Sequence, residues 1–194
     1  MDNDVKAMLM RGEPAVGTWH MIGHPVVSEI LAQAGFDWIA LDLEHGVMDW
    51  PLALSMMQAI QGQGCTPLCR LPINRPEHFK WALDSGAQGV IVPMIRTVED
   101  AEAAVAAAKY PPEGIRGVGV CRVHGYGGDF ESYVRSANDE TLVVLQVEHI
   151  DAVHNIEAIC AVPGVDAVFI GPYDLSGTMD LMGQVHHPEV ESAI

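Results

Sequence analysis

The sequence predicts an α/β fold in which a parallel sheet is covered by helices. Short runs that are apolar on both faces alternate along the chain with segments whose apolar residues recur at helical spacing. Charged and amide side chains then gather just after the apolar runs, where parallel α/β folds carry their ligands. Both a barrel and a doubly wound sheet satisfy this pattern.

Each element has its own signal. Ala15–Trp19 reads as the first strand. Pro25 suits a first helical turn, with Val26, Val27, Ile30, Leu31 and Ala34 on one face and Gly35 as the stop. Trp38–Leu43 is the second strand, and Asp49 caps a helix running through Leu52, Met56, Met57 and Ile60. Thr66–Leu71 is the third strand. Asn74 is placed to cap a short helix through Phe79, Ala82 and Leu83, stopped by Gly86. Val90–Val92 is a strand ended by Pro93. Thr97 and Asp100 form a capping box ahead of an alanine-rich helix to about Lys109. A glycine-rich stretch from Tyr110 to Gly128 follows. Leu142–Val147 is the fifth strand, Asp151 opens a helix to about Cys160, and Ala167–Ile170 is the sixth strand. A loop and the start of a helix at Pro188 close the chain.

Successive strands start about 20 to 30 residues apart with one gap near 50, and eight βα units need roughly 250 residues. Six strands fit into 194 residues. A six-stranded barrel has two unpaired edges, so the expectation is one domain, 1–194, lacking two terminal βα units.

Composition narrows the function. Hydrophobic residues make up 49% of the chain, enough for one sizeable core. A formal net charge of −16 argues against nucleic acid and against an anionic membrane surface. It leaves room for a small anionic substrate, because a metal or an arginine can reverse the sign inside one cleft. Cys65, Cys69, Cys121 and Cys160 form no CxxC pair and read as thiols of a reducing cytoplasm. The N-terminal MDNDVKAMLMRGEP lacks the apolar core of a signal peptide, and no apolar run approaches the roughly 18 residues of a membrane span. Gly114–Gly119 matches neither a phosphate loop nor a dinucleotide fingerprint.

The strand ends carry the chemistry. The second ends in Asp42-Leu43-Glu44-His45-Gly46, the third in Arg70, the fifth in Gln146-Val147-Glu148 and the sixth in Gly171-Pro172-Tyr173-Asp174. Taken singly, such an Asp is usually a helix cap and such an Arg a solvated group. Their coincidence at four ends is what points to a site. Glu148 and Asp174 make the best metal pair, since two carboxylates with waters and a chelating substrate suit Mg²⁺ or Mn²⁺. His149, His186 and His187 lack ligand spacing and read as surface residues.

The stretches FDWIALDLEHG, RLPINRP, LDSGAQGVIVPMI, YPPEGIRGVG, LQVE and VDAVFIGPYDLSG, in this order, resemble the HpcH/HpaI aldolase family over nearly the whole chain. The resemblance implies a TIM-type (β/α)₈ barrel of the phosphoenolpyruvate/pyruvate superfamily. It implies class II aldolase chemistry on 4-hydroxy-2-oxo acids, with a divalent ion such as Mg²⁺, Mn²⁺ or Co²⁺. By the same resemblance Glu148 and Asp174 hold the metal, His45 is the base, Arg70 stabilises the enolate, and Asp84 raises the basicity of His45. Gln146, Tyr173 through its backbone, and Asp174 meet the substrate. A homo-oligomer, a hexamer by resemblance, is expected. The bulky Tyr173 stands where many relatives carry a small residue. Only Lys6, Lys80 and Lys109 are present, and none ends a strand, so no Schiff base is called for. Another pyruvate-enolate reaction of the macrophomate synthase type, or a non-catalytic fragment, are the alternatives.

Overall fold

The computed structural model describes residues 2–194. Its six strands form one parallel sheet in sequence order: β1 Gly17–His20, β2 Trp38–Asp42, β3 Thr66–Arg70, β4 Gly89–Ile95, β5 Leu142–Val147 and β6 Ala167–Ile170. The sheet curls into a partial barrel, for the inward ring of Trp19 on β1 lies 5.3 Å from that of Phe169 on β6.

Among the described residues, seven longer α-helices and three short ones pack on it. They are α1 Asp4–Met10, α2 Pro25–Gln33, α3 Trp50–Gln61, α4 Pro76–Ser85, α5 Val98–Ala108, α6 Phe130–Glu140, α7 Ile150–His154, α8 Ile156–Cys160, α9 Pro172–Thr178 and α10 Pro188–Ala193. Among the described residues no helix is long and apolar enough to cross a membrane.

Two apolar layers follow from strand alternation. Ile39, Leu41, Cys69, Val90, Val92, Val143 and Leu145 point outward and pack with Met56, Met57, Ile60, Phe79, Leu83 and Ile159 of the helices. Ala40, Leu68, Ile91 and Leu142 point inward and form a second cluster with Val5 of α1. Burying one such Leu or Ile contributes roughly 1.5–3 kcal/mol.

Helix α1 closes the end of the barrel where the strands begin. Asn3, its cap, donates to the carbonyls of Gln88 and Glu140 at 2.8 Å each. Lys6 reaches the Thr141 carbonyl at 2.8 Å and Asp166 at 3.1 Å. The apolar content of this segment is too small for its helix to be expected from sequence.

The capping box at Thr97 and Asp100 and the Asp49 cap stand as predicted. Several other expectations change. β4 runs through Pro93 instead of stopping before it: a register shift between Val92 and Ile95 leaves the missing N–H of Pro93 outside the regular ladder. Asn74 does not cap α4; the cap position is Arg75, without a side-chain bond, and Asn74 donates to the Asp100 carbonyl at 3.0 Å. His149, not Asp151, caps α7, and the expected helix to Cys160 breaks at Asn155. The segment after Gly128 holds α6, whose only fully buried residue is Ala137. Its apolar residues keep helical spacing, but they are few among polar neighbours, and the segment reads as a continuation of the glycine-rich loop. α9 likewise replaces part of the loop expected after β6.

Candidate active site

The carboxyl ends of the strands carry a ring of polar side chains above the inward apolar cluster. Asp42 ends β2 directly opposite Arg70, which ends β3. The fully buried Asp42 carboxylate grips the guanidinium with both oxygens, Oδ1 to Nε at 2.9 Å and Oδ2 to Nη2 at 2.5 Å. Its Oδ1 also accepts the backbone N–H groups of Glu44 and His45, each at 3.1 Å. One aspartate thus fixes both the arginine and the turn that carries the histidine. Gly46 completes that turn, because a Cβ there would collide with the Asp42 carbonyl.

These contacts set the charges. Burial would raise the Asp42 carboxyl, but the bonds from Arg70 and from the two amides bring it below its ordinary value. Burial lifts Glu44 above the usual range; Arg70, 3.4 Å away, opposes the lift and Glu148 adds to it. The His45 side chain is 57% exposed at the mouth, its Nε2 3.9 Å from Glu44.

Glu148 follows β5 and is 1% exposed. Oε1 accepts the Met94 backbone N–H at 2.7 Å, and Oε2 accepts the Gln146 side-chain amide. Met94 makes its bond from a left-handed backbone, φ 57°, at the β4 irregularity. That is a strained conformation for a residue with a side chain, and it serves to aim one N–H at a carboxylate. Gly171 leaves the Glu148 side chain room, since a Cβ there would lie 2.9 Å from the Glu148 Cβ. Gln146 Oε1 and Glu44 Oε2 are buried without a hydrogen-bond partner. Tyr173 and Asp174 sit exposed in the first turn of α9.

The chain matches the HpcH/HpaI aldolase/citrate lyase family over residues 16–194. It belongs to that family. A 5-keto-4-deoxy-D-glucarate aldolase of Escherichia coli O139:H28 (strain E24377A / ETEC) is 38% identical over 199 residues, covering 100% of this chain and 78% of that protein. An HpcH/HpaI aldolase/citrate lyase family protein from Burkholderia cenocepacia J2315 superposes with a TM-score of 0.93 at 36% identity, covering 98% of this chain and 77% of that one. An HpcH/HpaI aldolase from Desulfitobacterium hafniense DCB-2 gives 0.90 at 35% identity, covering 97% and 74%. The curled parallel sheet is therefore of the TIM-barrel type found in these aldolases.

Of the residues singled out from sequence, His45, Arg70, Gln146, Glu148, Tyr173 and Asp174 all follow or end strands at this one face. Asp84 does not join them within the chain. It lies near the C-terminal end of α4, which runs back toward the strand beginnings, and its carboxylate is held by Arg116 at 2.7 Å. Arg116 is buried against the rings of Tyr110 and Tyr133, 4.4 and 5.8 Å from their centroids. Asp42, Glu44 and Met94 were given no role from sequence. A strand-ending Asp facing a strand-ending Arg in register was the available signal for Asp42.

Proposed function

We propose that this protein cleaves a 4-hydroxy-2-oxo acid into pyruvate and an aldehyde with the help of a divalent cation. The observation that carries this reading is the pairing, on one rim, of a rigidly gripped arginine with a buried carboxylate whose amide neighbour keeps a free oxygen. The substrate class is supported by the relative named 5-keto-4-deoxy-D-glucarate aldolase, whose substrate is a hydroxylated oxo acid.

The residues fit a hard cation. Glu148 and Asp174 offer oxygen donors, as does the unpartnered Gln146 Oε1. Among the described residues no trio of His, Cys, Asp and Glu is arranged for a metal, so the reading rests on two carboxylates and favours Mg²⁺ or Mn²⁺ over zinc. A cation held there supplies Lewis-acid polarisation of the 2-oxo group.

The chain's own groups do the rest. His45 takes the proton of the 4-hydroxyl. The C3–C4 electron pair moves onto the pyruvate fragment as the aldehyde leaves, and Arg70 faces the developing enolate oxygen with a charge that Asp42 keeps from reorienting. Protonation at C3 then gives pyruvate. The backbone at Tyr173 meets the substrate carboxylate, and the exposed Tyr173 ring narrows the entrance. In this reading Asp84 tunes His45 across a contact between copies, since Arg116 holds it at the far end of α4 in its own chain. A homo-oligomer follows from that assignment.

Pyruvate release from 4-hydroxy-2-oxo acids, measured with EDTA and after readdition of Mg²⁺ or Mn²⁺, tests the reading. Turnover abolished by EDTA and restored by metal is the expected result. Turnover indifferent to EDTA would overturn it.

A further inference from the structure

Arg70 is held from more than one direction. Asp42 takes Nε and Nη2 in the plane of the guanidinium, and Glu44 stands 3.4 Å from Nε. Against the face lies the Trp19 ring, its centroid 4.5 Å from the guanidinium carbon. The register explains the approach. Trp19 on β1 is level with Ala40 on β2, one inward step below Asp42, which is itself level with Arg70. The indole therefore sits directly under the arginine.

The other side of the ring is braced. Phe169, opposite Gln146 on the β5–β6 ladder, meets Trp19 at 5.3 Å and 58°. Together the two rings form an aromatic floor between the polar ring above and an apolar cavity of about 210 Å³ below, lined by Trp38, Leu68, Ile91 and Val144 among others.

We infer that Trp19 is a positioning residue for Arg70. Asp42 grips only one edge of the guanidinium, and a group held by one edge can still rock about it. The indole face removes that freedom and strengthens the hold by cation–π attraction. Nη1, which makes no hydrogen bond among the described residues, is then the nitrogen presented to an anionic oxygen in the cleft. The inference rests on the assignment of Arg70 to the enolate oxygen.

The test compares Trp19→Phe, which keeps an aromatic face, with Trp19→Met and Trp19→Leu, which fill space without one. Any one of the latter two that folds suffices. Steady-state cleavage of the 4-hydroxy-2-oxo acid is measured beside the melting temperature. The Met and Leu variants are expected to lose about 3- to 30-fold in kcat with KM changed less than about twofold, while Phe stays within about threefold of the parent. A fall in kcat that is the same for Phe, Met and Leu, or that tracks the melting temperature, would reduce Trp19 to packing and overturn the inference. An unchanged kcat in Trp19→Met or Trp19→Leu would do the same. Arg70→Lys is run alongside: if it keeps the parental rate, the assignment of Arg70 itself is wrong, whereas a slow Arg70→Lys with a fast Trp19→Leu removes only the role of Trp19.

Discussion

The two ends of the barrel are both polar, and they differ in one respect. At the end where the strands begin, Asn3, Lys6, Gln88, Glu140, Thr141 and Asp166 tie α1 to the sheet, and none of their side-chain atoms is left buried without a partner. At the end where the strands finish, Asp42 grips Arg70, yet Gln146 Oε1 is buried without a hydrogen-bond partner, and Glu44 Oε2 meets Arg70 and His45 only as ion pairs at 3.4 and 3.9 Å. Leaving a buried oxygen unpaired costs about 1–3 kcal/mol, so a fold keeps such atoms where something else is to meet them. The closed network holds the barrel together; the open one keeps a buried acceptor without a donor.

Substitutions can sharpen or break that contrast. The largest effect is expected at the open end: Arg70→Lys, which keeps a cation beside the buried Asp42, should lower kcat/KM about 10²-fold in steady-state kinetics. Its melting temperature, followed by calorimetry, should move far less than in Arg70→Ala, where Asp42 is left buried without its cationic partner. The reverse is expected at the closed end. Lys6→Met should cost about 1–3 kcal/mol in urea unfolding with kcat preserved. A variant at Lys6 that loses kcat without losing stability would break the comparison.

Two smaller effects lie within the open end. Met94→Gly relieves a φ of 57° and should raise the melting temperature by about 2–4 °C while leaving the N–H donor to Glu148 in place. His20, buried against the Ser28 hydroxyl at 2.9 Å, is pushed by burial below its ordinary pKa. Below about pH 6.5 the unfolded chain therefore binds the proton more readily than the folded one. Stability should be full above that pH and decline as pH falls through the window beneath it. A His20→Asn variant should flatten this part of a stability–pH curve; an unchanged curve would assign the decline to other groups.

The strands were legible because their runs are apolar on both faces, and the helices whose caps are local, at Asp49 and Thr97, were legible for the same kind of reason. What escaped was set by distant parts of the chain. Helix α1 exists because its Val5 meets Ala40, Leu68, Ile91 and Leu142, contacts that no window of sequence contains. The continuation of β4 past Pro93 depends on how β5 pairs with it. At the site, sequence pointed to strand ends and to Glu148, but the grip of Asp42 on Arg70 depends on the register of two strands. Asp84 shows the limit of a motif from another side: the LDSGAQG stretch marks the residue, while its place near the C-terminal end of α4 and its bond to Arg116 come from packing that the motif does not contain.

The contact between Lys6 and Asp166 joins positions 160 residues apart. A ribosome adding about 5–20 residues each second would make the first partner roughly 10–30 s before the second. Helix α1 can begin to cover Val5 on β2 to β4, but its seat is complete only when Leu142, Thr141 and Asp166 have been made.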